Sequence, residues 1–256
     1  MLSNIIEIII LSIVQGISEF LPISSSAHLN IVEIIFEFNS NSLMIDVSLH
    51  LGSLLAIIFY FRKELLNLKN NHKLLSLLII ASIPILIAGY IISTTGLINL
   101  LEDNLKIIAW TTLIFGIVLY LSDKCKFDKK LSTDLNFRNT LYIGLFQVLA
   151  LIPGVSRAGI TITAARLFGF NRFDSSKISF LLAIPAISGA SILQLKNFFG
   201  QNFELNYLIL ISVTLSFLFS YFTIKFFLNY INKFSLNIFV IYRIIISIIL
   251  FIIIYS

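Results

Sequence analysis

Apolar residues gather in eight runs, at about 2–14, 43–61, 74–93, 105–122, 139–152, 178–195, 205–228 and 236–255, parted by short polar or basic stretches. Six of these have the roughly 18–24 residues that a helix needs to cross a hydrocarbon core about 30 Å thick. The other two are too short, and each meets a polar interruption followed by a second short apolar piece. The run 2–14 continues into Gln15–His28, reading QGISEFLPISSSAH, and then into 29–38. The run 139–152 continues into Pro153–Gly159, reading PGVSRAG, and then into 160–170. Hydrocarbon offers no partner to a free N–H or C=O, so a break at membrane depth is tolerated only where protein buries it or water reaches it. The pattern predicts an all-α polytopic membrane protein, with six transmembrane helices plus two re-entrant helical pairs.

Composition agrees. Of 256 residues, 58% are hydrophobic and 12% charged, about half the ~25% charge of a soluble domain. No Pro-, Gly- or Ser-rich linker divides the chain, which predicts a single integral membrane domain over 1–256. The one cysteine, Cys125, lies among lysines and excludes a disulfide framework or a Cys-based metal centre. A net charge of +5 would suit nucleic acid in a soluble protein. In a membrane protein the placement of Lys and Arg tells more, because they mark the cytoplasmic face. The opening MLSNIIEI has no basic stretch and no small-residue cleavage site, so the first segment is expected to stay in the mature protein.

The two breaks are alike. Setting Pro22 over Pro153 also pairs Ser25 with Ser156 and Ala27 with Ala158, an offset of 131 residues, and the same offset pairs Ser48 with Ser179. This predicts an inverted repeat whose halves cover roughly 1–122 and 139–256, joined by the basic loop 123–138. If both re-entrant pairs return to the side they entered, loops 62–73, 123–138, 166–177 and 225–233 share one face and carry 14 of the 18 Lys and Arg residues. Segments 1–42, 94–106 and 196–204 on the other face hold only Lys106 and Lys196. The four loops are therefore expected to be cytoplasmic and both chain ends outer, with a site between the breaks.

In the first break, Gln15 and Glu19 stand four residues apart and share a helix face. An amide oxygen beside a carboxylate suits a hard divalent cation; a polar edge on an interfacial helix would use the same residues. Pro22 ends that helix, and Ser24, Ser25 and Ser26 can cap the next. The serines and His28 offer a nucleophile and a base, although a serine-rich helix start followed by one histidine is also an ordinary structural element. In the second break, Gly154 lets the backbone turn and the amides after Ser156 open toward an anion. Arg157 can grip a phosphate with two N–H groups, and Thr161 adds a hydroxyl one turn on. An Arg157–Glu19 ion pair is the plain structural alternative. Asp46 and His50, also four apart, start the first full span and would either reach the site or a metal or serve as helix-end polarity. Tyr242 and Arg243 read as an interface anchor whose ends snorkel to water, and Pro84 and Pro185 as kinks.

The stretches QGISEFLPISSSAH and PGVSRAGIT resemble the two signature stretches of the bacterial undecaprenyl-diphosphatase family. The similarity runs on through IDVSLHLGSL at 45–54, FLLAIP at 180–185 and VIYR at 240–243, and so covers nearly the whole chain. The family consists of integral inner-membrane enzymes linked to bacitracin resistance, which convert undecaprenyl diphosphate to the monophosphate carrier of peptidoglycan synthesis. The resemblance implies catalytic roles for Glu19, Ser25, His28 and Arg157, in a site facing the periplasm. It implies a divalent cation, Mg2+ or Ca2+, at the E/Q-x-x-x-E motif, here Gln15 and Glu19, with Asp46 as a lesser candidate. Ser24, Ser26, Gly154, Ser156 and Thr161 would surround the diphosphate with Arg157. Ala27 and Ala158 stand where the commoner forms have glycine and serine, and touch none of these groups. Either Ser25 or a water would attack. The partners expected are a polyprenyl diphosphate lipid and the bilayer, with no nucleic acid and with room for a homodimer. Inverted repeats with broken helices also build transporters, so a lipid-phosphate carrier is the rival reading.

Overall fold

The computed structural model describes residues 2–36, 43–95, 104–125, 128–196 and 207–255. Among them, the chain forms helices α1 (Leu2–Ser18), α2 (Ser25–Phe36), α3 (Leu43–Tyr60), α4 (Arg62–Asn67), α5 (His72–Thr95), α6 (Leu105–Lys124), α7 (Leu131–Asp134), α8 (Phe137–Val148), α9 (Arg157–Leu167), α10 (Arg172–Lys196), α11 (Tyr207–Ile231) and α12 (Asn237–Tyr255). Several helix starts fall where a short polar side chain accepts from exposed amides. Asn104 accepts from the amides of Lys106 and Ile107, Asn136 from that of Asn139, and Ser156 from that of Gly159.

Five helices, α5, α6, α10, α11 and α12, are long and apolar enough to cross a membrane. With no extended strand among the described residues, this is an all-helical polytopic membrane protein. The remaining expected span, α3, falls just short of that length in its apolar part, Met44–Tyr60. Pro84 and Pro185 lie inside α5 and α10, and both helices continue past them.

Helix pairing is exchanged between the halves. α1 lies on α11 while α8 lies on α5; α3 packs on α11 while α10 packs on α5; α6 pairs with α12, and α3 with α10. Lipid tails are as apolar as leucine, so close backbone approach and hydroxyl bonds must hold such contacts. A methyl added at Gly52 would strike the Val213 carbonyl and the Ser216 side chain, and one at Gly16 would strike Phe219. At the same seam Ser216 Oγ donates to the Leu49 carbonyl at 2.6 Å, and Ser220 Oγ to Ser53 Oγ at 3.0 Å.

The basic connections gather at one end, as expected from the charge pattern. Lys177 Nζ lies 3.4 Å from Glu64 Oε1. Lys129 forms a parallel bridge with Phe170. Asp123 takes Arg172 through both carboxylate oxygens, at 2.6 and 3.0 Å, and its Oδ2 also accepts the Leu236 amide at 3.0 Å. Arg166, 4% exposed, donates to the carbonyls of Phe170, Asp123 and Cys125.

Candidate active site

Both breaks turn on a serine in a conformation that side chains avoid. Ser24 has φ 76° and Ser156 φ 72°, and these are the only non-glycine residues with positive φ among the described ones. Such a residue costs about 1–3 kcal/mol and persists where its surroundings impose it. Each serine directly precedes a short helix, so Ser25 opens α2 and Arg157 opens α9. The cap geometry therefore relates the breaks by 132 residues, one more than the letter match, because a cap is defined by where the helix begins. The buried Gln15 and Gln147 keep that same spacing. Gly154, at φ +84°, passes so close to Thr111, Thr112 and the Ile108 carbonyl that no side chain fits there. Thr111 Oγ1 donates to the Pro153 carbonyl at 2.6 Å and clamps the turn.

The two helix-opening residues converge on one carboxylate. Ser25 Oγ donates to Glu19 Oε2 at 2.7 Å, and Arg157 Nη2 donates to Glu19 Oε1 at 2.9 Å. Gln15 Nε2 donates to the same Oε2 at 3.1 Å, while Gln15 Oε1 is buried and has no hydrogen-bond partner. Arg157 is steadied from below: its Nη1 donates to the Ser179 carbonyl at 3.2 Å, its Nη2 also to the Glu19 carbonyl at 3.3 Å, and its guanidinium lies 5.8 Å from the Phe20 ring centre. Thr161 is fully buried and donates to its own helix and to Ser179 Oγ, at 2.6 Å, so it braces Arg157's surroundings and does not open toward a ligand. Ser24 and Ser26 lie 3.4 Å apart through their hydroxyls, with Ser26 exposed. Asp46 is not hydrogen-bonded to Gln15 or Glu19; its carbonyl accepts from His50 Nδ1 at 2.9 Å.

His28 stands apart from Ser25. Its Nδ1 lies 2.6 Å from the Ser24 carbonyl and its Nε2 2.7 Å from the Tyr242 hydroxyl. Ser25's proton therefore points at Glu19 and not at the imidazole. Tyr242 and Arg243 differ most from their reading as a snorkelling anchor. Arg243 is 1% exposed and donates to Pro22 in the first break, to Gly154 and Val155 in the second, and to Thr112 of α6, all carbonyls at 2.9–3.2 Å. It faces no carboxylate among these partners. The signal that could have found it was an arginine seven residues into the most apolar helix, too deep to reach water comfortably.

Two broken helices thus bring a hydroxyl, a carboxylate and a guanidinium together inside an apolar bundle, and the class the fold defines is a polytopic all-helical membrane protein with a buried polar centre. The chain belongs to the family described as Bacitracin resistance protein BacA, which matches residues 8–249. It is 87% identical over 256 residues, the full length of both chains, to a protein named undecaprenyl-diphosphatase from Pelagibacter ubique. Proteins of the same name from Elusimicrobium minutum and Erythrobacter litoralis are 38% and 35% identical; the matches cover 96% and 93% of this chain and 97% and 95% of theirs.

Proposed function

We infer that this chain hydrolyses undecaprenyl diphosphate to undecaprenyl phosphate and inorganic phosphate, recycling the carrier lipid for cell-wall synthesis. The observation that carries the reading is the single carboxylate, Glu19, shared between the Ser25 hydroxyl and the Arg157 guanidinium. A diphosphate presents several anionic oxygens to Arg157, which is suited to take two at once. As the guanidinium turns to them, Glu19 loses its ion partner and is free to accept the Ser25 proton. Ser25 Oγ then attacks the terminal phosphorus, the bond to the bridging oxygen breaks, and undecaprenyl phosphate leaves with the electron pair. A water attacks the phosphoserine in turn, giving one proton to His28 Nε2 while Glu19 returns its proton to Ser25 and inorganic phosphate departs. Most catalysis of such transfers is charge stabilisation and positioning, which Arg157, the buried Arg243 and the start of α9 supply.

A divalent cation fits this arrangement. The orphaned Gln15 Oε1 and the Glu19 carboxylate would hold it, and it would neutralise charge on the transferred group. Asp46 is a weaker ligand because it makes no hydrogen bond to either Gln15 or Glu19, and His50 stands beside both acids. The exchanged helix pairing and the matched breaks support an inverted repeat within one domain, with α3 as the sixth span. The clustering of basic connections at one end supports a bacterial inner-membrane protein whose site opens to the periplasm.

Phosphate release from undecaprenyl diphosphate by the purified protein tests the reading. Release is expected to stop with EDTA and to return with Mg2+ or Ca2+, and Ser25→Ala is expected to lose at least about 10²-fold in kcat. Labelled phosphate should be trapped on the wild type and not on the variant. A wild type that releases no phosphate with any cation defeats the enzyme reading, and full turnover by Ser25→Ala defeats the serine.

A further inference from the structure

We propose that Tyr242 fixes the tautomer and plane of His28 and carries the proton to its base nitrogen through the phenol hydroxyl. The proposal deepens the reading given above and rests on it. A backbone carbonyl can only accept, so the 2.6 Å contact between His28 Nδ1 and the Ser24 carbonyl requires the hydrogen to be on Nδ1. In the neutral ring that leaves the lone pair on Nε2. The Tyr242 hydroxyl, 2.7 Å from Nε2, is then the donor. The rings are also stacked, with centroids 5.5 Å apart and planes within 10°, so the phenol sets both the hydrogen bond and the plane of the imidazole. The strained Ser24 completes the arrangement: its carbonyl accepts from the His28 amide at 3.4 Å as well as from the ring. The imidazole is thus gripped from its own helix start on one side and from α12 on the other.

The reaction needs this contact because the Nε2 lone pair faces the phenol: the phenol oxygen takes the water-derived proton as the phenol hydrogen passes to Nε2, and Nε2–H then donates to the phenol oxygen. The exchange reverses when the proton is given up to water, so no atom or charge remains behind on Tyr242. Tyr242 is 38% exposed, which leaves its oxygen room for the incoming water. Outer partners that orient a metal-bound histidine are typically worth about 10–100-fold in affinity or activity, and the lower end of that scale is expected here.

Tyr242→Phe keeps the stacked ring and removes only the hydroxyl. Its kcat is expected to fall about 10-fold with KM within about twofold. By nitrogen NMR on protein labelled at histidine, His28 Nε2 is expected to move toward the position of a nitrogen without a hydrogen-bond donor, while Nδ1 stays protonated. The double variant His28→Ala/Tyr242→Phe should be no slower than His28→Ala alone. An unchanged Nε2 resonance overturns the proposal, as does an unchanged kcat, a loss confined to KM, or losses that multiply in the double variant. The resonance is read without turnover, so a protein that releases no phosphate would still report on the His28–Tyr242 contact.

Discussion

Two buried carboxylates in this protein each meet an arginine distant in the chain, and they are built to opposite ends. Asp123, at the basic end, is closed: Arg172 binds both its oxygens, the Leu236 amide takes one of them again, and Arg166 lies 3.7 Å away. Glu19, between the breaks, holds one guanidinium through one oxygen, and its other oxygen accepts a hydroxyl proton from a residue able to act as a nucleophile. A buried ion pair is therefore not by itself a sign of chemistry. What separates the two is whether the arginine can leave without stranding a charge. Drawing Arg172 away would strip Asp123 of its two-oxygen partner and leave it only the more distant Arg166 and the Leu236 amide. In the mechanism proposed above Arg157 can leave, because an incoming diphosphate replaces Glu19 as its anion and Glu19 takes the proton of Ser25.

The widest separation between the two pairs should come from their arginines and acids in turn. Arg157→Ala is expected to lower kcat/KM by about 10³-fold, the scale of losing one group that stabilises transferred charge, while the protein still purifies as a folded species in detergent. Asp123→Ala should do the reverse. Breaking a buried, hydrogen-bonded pair costs about 3–5 kcal/mol, read as a marked drop in thermal midpoint, with kcat per folded molecule within a few-fold of wild type. If Asp123→Ala abolished turnover at unchanged stability, the contrast would collapse. The smallest effect belongs to Lys177–Glu64, an ion pair at the same end that remains open to solvent. Lys177→Ala should shift stability by no more than about 1 kcal/mol, with turnover untouched.

Much of the first break was readable because polar residues in a hydrocarbon-length run are conspicuous, and Gln15, Glu19, Ser25 and Arg157 do meet. The bond from Ser25 to Glu19, six residues earlier, was not readable, since spacing along a helix says nothing across a turn made by a serine at positive φ. The repeat was visible as an offset of 131, but its cap geometry runs at 132. At that second offset Leu151 stands where Glu19 would, and the Gln147 side chain is buried with neither amide atom bonded, so only the first break carries an acid.

What the sequence determined by itself was a matter of solvent: runs of the right length must be helices in lipid, breaks must be buried, and most lysines and arginines must lie outside the apolar runs. These follow from the cost of unpaired backbone and charge in hydrocarbon, which acts on each segment alone. Only the tertiary structure decided which groups share a proton. Arg243 binding both breaks, Tyr242 reaching His28 from 214 residues away, and Asp123 gathering Arg172 and the Leu236 amide all depend on contacts between helices distant in the chain. A hydrogen bond is set by angles and tenths of an ångström, and those are fixed when the helices pack.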